Sequence, residues 1–144
     1  MRFIIIFIVN FNIFFECLAL QIESTNLYGN TTKNINLEIL SSTDIEVFSP
    51  ILKKFSEINP NISIRYSGAS TADIYNEVKN NKLSKFDLIM SSAMDLQIKL
   101  ANDGYAKNIQ ISNLEEMPNW SIWQNKVIGF SLEPIVMVVS KKDV

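Results

Sequence analysis

Phe86-Asp-Leu-Ile-Met90-Ser-Ser-Ala-Met-Asp95-Leu-Gln-Ile-Lys-Leu100-Ala-Asn-Asp-Gly104-Tyr-Ala106 changes its period halfway along. The run from Phe86 to Met90 is short and apolar, as a buried strand is, whereas Leu96 and Leu100 recur at helical spacing. A strand therefore feeds a helix through Ser91-Ser92. Ser92 stands three residues before Asp95, a capping-box spacing, and Gly104 supplies the left-handed residue that commonly ends a helix. A turn of this kind leaves backbone N–H groups and partial positive charge at the sheet edge, where a polar or anionic ligand can be held.

The same unit occurs twice upstream. Leu37, Ile39 and Leu40 predict a strand, Ser41 to Asp44 a turn, and Ile45, Phe48, Ile51, Leu52, Phe55 and Ile58 a helix that Asn59-Pro60 ends. Thr43 and Glu46 repeat the capping-box spacing. Pro50 predicts either a kink or a regular helix that starts at Ser49-Pro50. Ile62, Ile64 and Tyr66 then alternate with polar residues as a strand, Ser67-Gly68-Ala69-Ser70 turns, and Ser70 with Asp73 caps a helix carrying Ile74, Tyr75 and Val78 inward. That helix frays at Asn80-Asn81.

Strands alternating with helices at this spacing predict an α/β fold of three layers, a mostly parallel sheet with right-handed crossovers and helices on both faces. Ligands of such sheets sit beyond the carboxyl ends of the strands. The turns would share that edge, and their candidate ligand-binding residues are Ser42, Thr43, Asp44, Ser67, Gly68, Ser70, Ser91, Ser92 and Ala93. A serine at a helix start is most often only a cap, so it is their conjunction on one edge that favours a site.

Composition narrows the chemistry. The chain has 144 residues, enough for one domain-sized core, and its net charge of -2 offers no basic footprint for nucleic acid or anionic membrane. It has no histidine, which removes serine–histidine triads and histidine-ligated metals, and Cys17 is its one cysteine, which removes disulfides. Nucleophile elbows and phosphate loops are absent, and Asp44, Asp73 and Asp95 read better as helix-start residues than as a carboxylate metal site. The expectation is a protein that is not an enzyme and needs no cofactor.

Residues 1–19 read as an export signal, with Arg2, an apolar run from Phe3 to Phe15, and Cys17-Leu18-Ala19 before a cleavage point. An uncleaved anchor is the alternative, although the run is shorter than the ~20 residues that span a bilayer. A lipoprotein reading of Cys17 is disfavoured by Glu16. Residues 20–34 are polar and aperiodic and predict a flexible lead-in, so the organised lobe covers 35–144. Three sequon matches, at Asn30, Asn61 and Asn119, arise readily in an asparagine-rich chain and carry no weight. Past Ala106, Glu115-Glu116 predict a solvated connection and Trp120 with Trp123 predict core or hinge packing. Lys126 to Phe130 and Pro134 to Val139 predict two extended apolar runs, the second a buried strand.

Taken together, Ser42-Thr43-Asp44, Phe55 with Asn59-Pro60, the block from Ser91 to Tyr105 and Phe130-Ser-Leu-Glu-Pro-Ile-Val136 resemble the amino-terminal lobe of an extracellular solute-binding protein of bacterial ABC transporters. The type is the two-lobed periplasmic one that includes ferric-iron and related anion binders. The resemblance implies a fold that closes over a small polar or anionic solute, iron-related solutes among them, and delivers it to an ABC permease in the inner membrane. It implies a periplasmic or extracellular monomer, and it places Glu133 near the strand that crosses to the second lobe. The sequence stops there, which implies a fragment lacking that lobe and the tyrosines with which ferric relatives bind iron. The input domain of a two-component sensor reuses the same fold and is the alternative.

Overall fold

A computed structural model describes residues 20–30, 35–80, 85–133, 138 and 140. The expected export signal at 1–19 lies outside them. Among the described residues, β1 (Ser24–Tyr28), β2 (Ile35–Ser41), β3 (Ile62–Gly68) and β4 (Leu88–Met90) form one sheet in the order β1-β3-β2-β4. The helices α1 (Ile45–Ile58), α2 (Thr71–Asn80) and α3 (Met94–Asn102) alternate with its strands. β2 pairs in parallel with β3 and β4, and β1 runs antiparallel to β3. The expected α/β lobe with a mostly parallel sheet is what forms.

Successive strand residues point to opposite faces, and β2 shows it. Ile39 joins Phe48, Leu52, Ile64 and Tyr66 in a core under α1. Leu40, its neighbour, joins Ala69 and Ile74 in a second core under α2, with Leu20, Phe86 and Ile89 packed against it. The chain from β3 crosses by way of α2 to pair β4 on the far side of β2, so β2 is central. Arg65 Nε donates to Glu38 Oε1 at 3.1 Å across the β2–β3 ladder. Asp87 clamps the other edge: its carboxylate accepts from the Glu38 N–H at 2.9 Å, and its own N–H donates to the Glu38 carbonyl at 2.8 Å.

Several expectations need correction. The segment read as an aperiodic lead-in contains β1, whose pairing with β3 supplies the order that its polar side chains do not advertise. α1 begins at Ile45 and carries Pro50 inside it. The later start at Ser49-Pro50 is therefore not taken, and Pro50 forgoes one N–H bond on an exposed turn of the helix. The Thr43–Glu46 cap does not form, because Asp44 takes the N-cap position, and it makes no side-chain cap bond. Nor does the Ser92–Asp95 cap, because Ala93 is the N-cap of α3. The Ser70–Asp73 cap does form, with the Ser70 hydroxyl accepting from the Asp73 N–H at 3.2 Å and donating to its carboxylate at 2.7 Å.

Trp120 and Trp123 do not share a helix and are not core. Trp120 lies in a single 3-10 turn (Asn119–Ser121) and Trp123 in β5 (Ile122–Trp123), and they are 57% and 41% exposed. β5 pairs with β6 (Val127–Ile128) as a two-stranded hairpin whose turn residues Gln124 and Asn125 both have positive φ, the type I′ pattern. Of the expected strand at 134–139, only Val138 is described, and it is exposed.

Gly104 performs its expected role. With φ +89° it ends α3 in a Schellman motif, in which the Tyr105 N–H donates to the Leu100 carbonyl (3.0 Å) and the Gly104 N–H to that of Ala101 (3.2 Å). A Cβ there would meet nothing within 4 Å. Gly29, after β1, has φ +79° and would also drive a Cβ to 2.8 Å from the Ile62 carbonyl oxygen. Gly104→Ala is therefore expected to cost about 1 kcal/mol through conformation alone, and Gly29→Ala about 2 kcal/mol. Urea titrations of the two variants, compared with the parent, check the order.

Candidate functional site

β2, β3 and β4 are parallel and in register at their carboxyl ends. Ser41 stands opposite both Gly68 and Met90, so the three turns emerge side by side. Backbone bonds then join them directly. The Ala69 N–H donates to the Ser41 carbonyl at 2.9 Å, and the Ser42 N–H to that of Met90 at 3.1 Å. Side chains continue the link, with the Ser42 hydroxyl bonding that of Ser91 at 3.1 Å and the Ser91 oxygen accepting from the Ala93 N–H at 3.2 Å. Ser91, not Ser92, thus tends the start of α3.

Below this rim lies a support that the alternation of β3 does not announce. Tyr66 is 0% exposed, yet its hydroxyl donates to the Thr43 carbonyl at 2.6 Å. Buried Ser41 accepts from the Thr43 N–H at 3.0 Å. Both backbone groups of Thr43 are therefore held from beneath. Burial pushes the Tyr66 phenol above its ordinary value of 10.0; a hydrogen bond with Ser41 pulls the other way, and the charges of Asp44 and Tyr28 add to the rise. An alternating strand with a tyrosine one residue before its polar end was the available signal, but alternation alone does not say which polar group the phenol meets.

The candidate residues divide by exposure. Ser42, Thr43, Ser70, Ser91 and Ala93 are half-buried on the rim, and Asp44 and Ser92 are exposed. Ser67 is buried in the fold. Gly68 has a packing reason for its lack of a side chain, since a Cβ there would lie 2.5 Å from the Ser24 hydroxyl of β1. Glu133 is exposed three residues beyond Phe130, and among the described residues no hydrogen bond ties it to the turns. The arrangement offers hydroxyls and helix-start N–H groups to a polar molecule. It contains no nucleophile paired with a base. Among the described residues no group of three acidic or sulfur ligands could hold a metal ion, and no helix is long and apolar enough to cross a membrane.

A mostly parallel sheet whose carboxyl edge gathers three helix starts defines an α/β lobe of the kind whose ligands sit beyond the strands' carboxyl ends. The chain is similar in structure to the substrate-binding protein of an ABC transporter from Agrobacterium tumefaciens, known from its crystal structure, with a TM-score of 0.66 and 30% sequence identity over 71% of this chain. This chain spans about a third of that protein, 32% of its length. No protein-family model and no curated protein matches the sequence. The likeness supports the resemblance to a transporter solute-binding protein, and the neighbour is itself the substrate-binding protein of an ABC transporter.

Proposed function

We propose that this chain is a lobe of an extracytoplasmic solute-binding protein serving an ABC transporter, and that it holds a small polar solute at the shared edge of Ser42, Thr43, Asp44, Ser70, Ser91, Ser92 and Ala93. The observation that carries the reading is the direct joining of three strand–turn–helix units, Ser42 to Ser91 at 3.1 Å and Ala69 to Ser41 at 2.9 Å, in a chain similar to such a protein. Helix starts kept side by side present several N–H donors to one ligand at little cost in ordering, because the donors are already fixed. Export by residues 1–19, a periplasmic or extracellular location, action as a monomer, and transfer of solute to an inner-membrane permease belong to this proposal. So does the three-layer arrangement of the lobe, for which the cores on opposite sides of β2 speak. An iron-related solute, which the resemblance also includes, would take its tyrosine ligands from the second lobe and not from this edge.

The test is a thermal-shift screen of the full chain against sugars, amino acids, polyamines and organic anions. A solute of one class is expected to raise the melting temperature. Ser42→Trp, which fills the rim where Ser42 meets Ser91, is expected to weaken that solute at least tenfold while its circular dichroism stays unchanged. Stabilisation that survives Ser42→Trp would place binding elsewhere and sink the proposal.

A further inference from the structure

Asp103-Gly104 is the one place in the sequence where an aspartate or asparagine precedes a glycine. The pair carries a chemistry of its own. The Gly104 amide nitrogen attacks the Asp103 side-chain carboxyl carbon, and a C–N bond forms while the amide hydrogen and the carboxyl hydroxyl leave together as water. The five-membered imide that results takes water back at either carbonyl. Opening at the side-chain carbonyl restores aspartate, whereas opening at the main-chain carbonyl leaves isoaspartate, with the chain running through the side-chain carboxyl. No oxidant or cofactor is needed, and the mass is unchanged overall. Glycine favours the attack, because it has no side chain to hinder the approach and its backbone turns freely.

The end of α3 holds the pair out of that reaction. Asp103 is the C-cap, and its ψ of 0° eclipses the Gly104 nitrogen with the Asp103 nitrogen, turned away from Cβ. The imide ring requires that nitrogen to eclipse Cβ instead. Rotation to reach it breaks the Schellman closure, in which the Gly104 N–H donates to the Ala101 carbonyl at 3.2 Å and the Tyr105 N–H to that of Leu100 at 3.0 Å. The other reactant is held as well, since Lys99 Nζ donates to Asp103 Oδ2 at 2.8 Å. Both locks are light. The ion pair is open to water, and a helix end frays more readily than its middle. Gly104 is exposed, and a Cβ there would meet nothing within 4 Å, so water reaches the peptide to hydrolyse an imide. The same end is also a junction. Asn102 Oδ1 accepts from Trp123 Nε1 of the β5–β6 hairpin at 3.2 Å, and the Tyr105 hydroxyl donates to the Lys79 carbonyl of α2 at 3.3 Å. Isoaspartate at 103 adds a methylene to the main chain between these two contacts.

We propose that Asp103-Gly104 is a latent isomerisation site, held as aspartate by the Schellman end of α3 and by Lys99, and converted to isoaspartate when that end of the helix opens on its own. The full chain is incubated folded and, in parallel, unfolded in guanidinium chloride, and isoaspartate at 103 is counted over weeks by peptide mapping with electron-transfer fragmentation. The folded chain is expected to isomerise slower by roughly tenfold or more, because only its opened fraction reacts. Lys99→Met removes the ammonium and leaves a good helix former in its place. It is expected to speed the folded reaction roughly twofold, the order of one exposed pair at this spacing. Leu40→Ala, which empties the core under α2, is expected to leave the rate as it is, since local opening of α3 does not pass through that core. Equal rates in the folded and unfolded chains would overturn the proposal, as would a Lys99→Met rate equal to the parent's or a Leu40→Ala rate above that of Lys99→Met.

Discussion

Leu40→Ala is expected to lower the unfolding free energy by about 3 kcal/mol, within the range of roughly 2–5 kcal/mol found for emptied leucine sites. Leu40 is 0% exposed on the central strand β2, and it is the residue through which that strand meets Ala69 and Ile74. Its neighbours are pinned by the β2–β3 and β2–β4 ladders on either side, so the structure has little freedom to collapse into the space left. A single domain has only about 5–15 kcal/mol in all, so the loss should be visible as a large drop in the urea midpoint with an unchanged slope. Val47→Ala, on the exposed side of α1, is the control and should stay within about 0.5 kcal/mol. A Leu40→Ala cost no greater than the control's would mean that the α2 face is not a packed core.

Tyr66 supports the second large effect, and it separates two contributions. Tyr66→Ala removes a fully buried ring that stacks on Phe48 at 6.3 Å and is expected to cost about 3–5 kcal/mol. Tyr66→Phe keeps the ring and strips the Thr43 carbonyl of its 2.6 Å donor, for about 1–2 kcal/mol. The phenol also predicts a response to alkali. Its pKa in the fold lies above the ordinary 10.0, chiefly through burial, so above that pH the folded chain holds a proton that the unfolded chain releases. Its stabilising contribution is complete below pH 10 and is lost as pH rises through the folded value. Other tyrosines and the lysines titrate nearby, so the readout is the difference between the parent and Tyr66→Phe from pH 9 to 11. A difference that stays constant across that range would sink the claim that burial raises this phenol.

Most of the fold was legible because its signals are local. The Phe86–Met90 run before Leu96 and Leu100, the alternation of Ile62, Ile64 and Tyr66, and the stripe of Phe48 and Leu52 each follow from the geometry of one element. Element boundaries were less legible, because a cap depends on which of several adjacent hydroxyls the chain path brings to the N–H groups. Ser91 and Ser92 are chemically alike, and only the pairing of β4 with β2 makes Ser91 the one that meets Ser42. β1 was illegible for a related reason: a polar edge strand owes its order to its partner. The tryptophans misled because apolar residues are assigned to a core by type, whereas the short hairpin that carries Trp123 has little interior to offer.

The candidate site was legible as a set of residue types and illegible as a surface. Ser/Thr-rich turns after each strand were visible, and so was their common side, since parallel strands send all their carboxyl ends one way. What could not be read was which members would be open. Ser67 sinks into the fold, and Gly68 yields to Ser24 of a strand the sequence had not announced.

By itself, then, the sequence determined the alternation of strands and helices, the lack of histidine chemistry, and the side of the sheet on which polar groups collect, because period, composition and strand direction are properties of neighbouring residues. Only the tertiary structure decided that Tyr66 holds Thr43, that Ser42 bonds Ser91, and that Phe130 stands against Phe48. Those contacts join residues far apart along the chain, and it is the order β1-β3-β2-β4, with the packing of each face, that brings them within bonding distance.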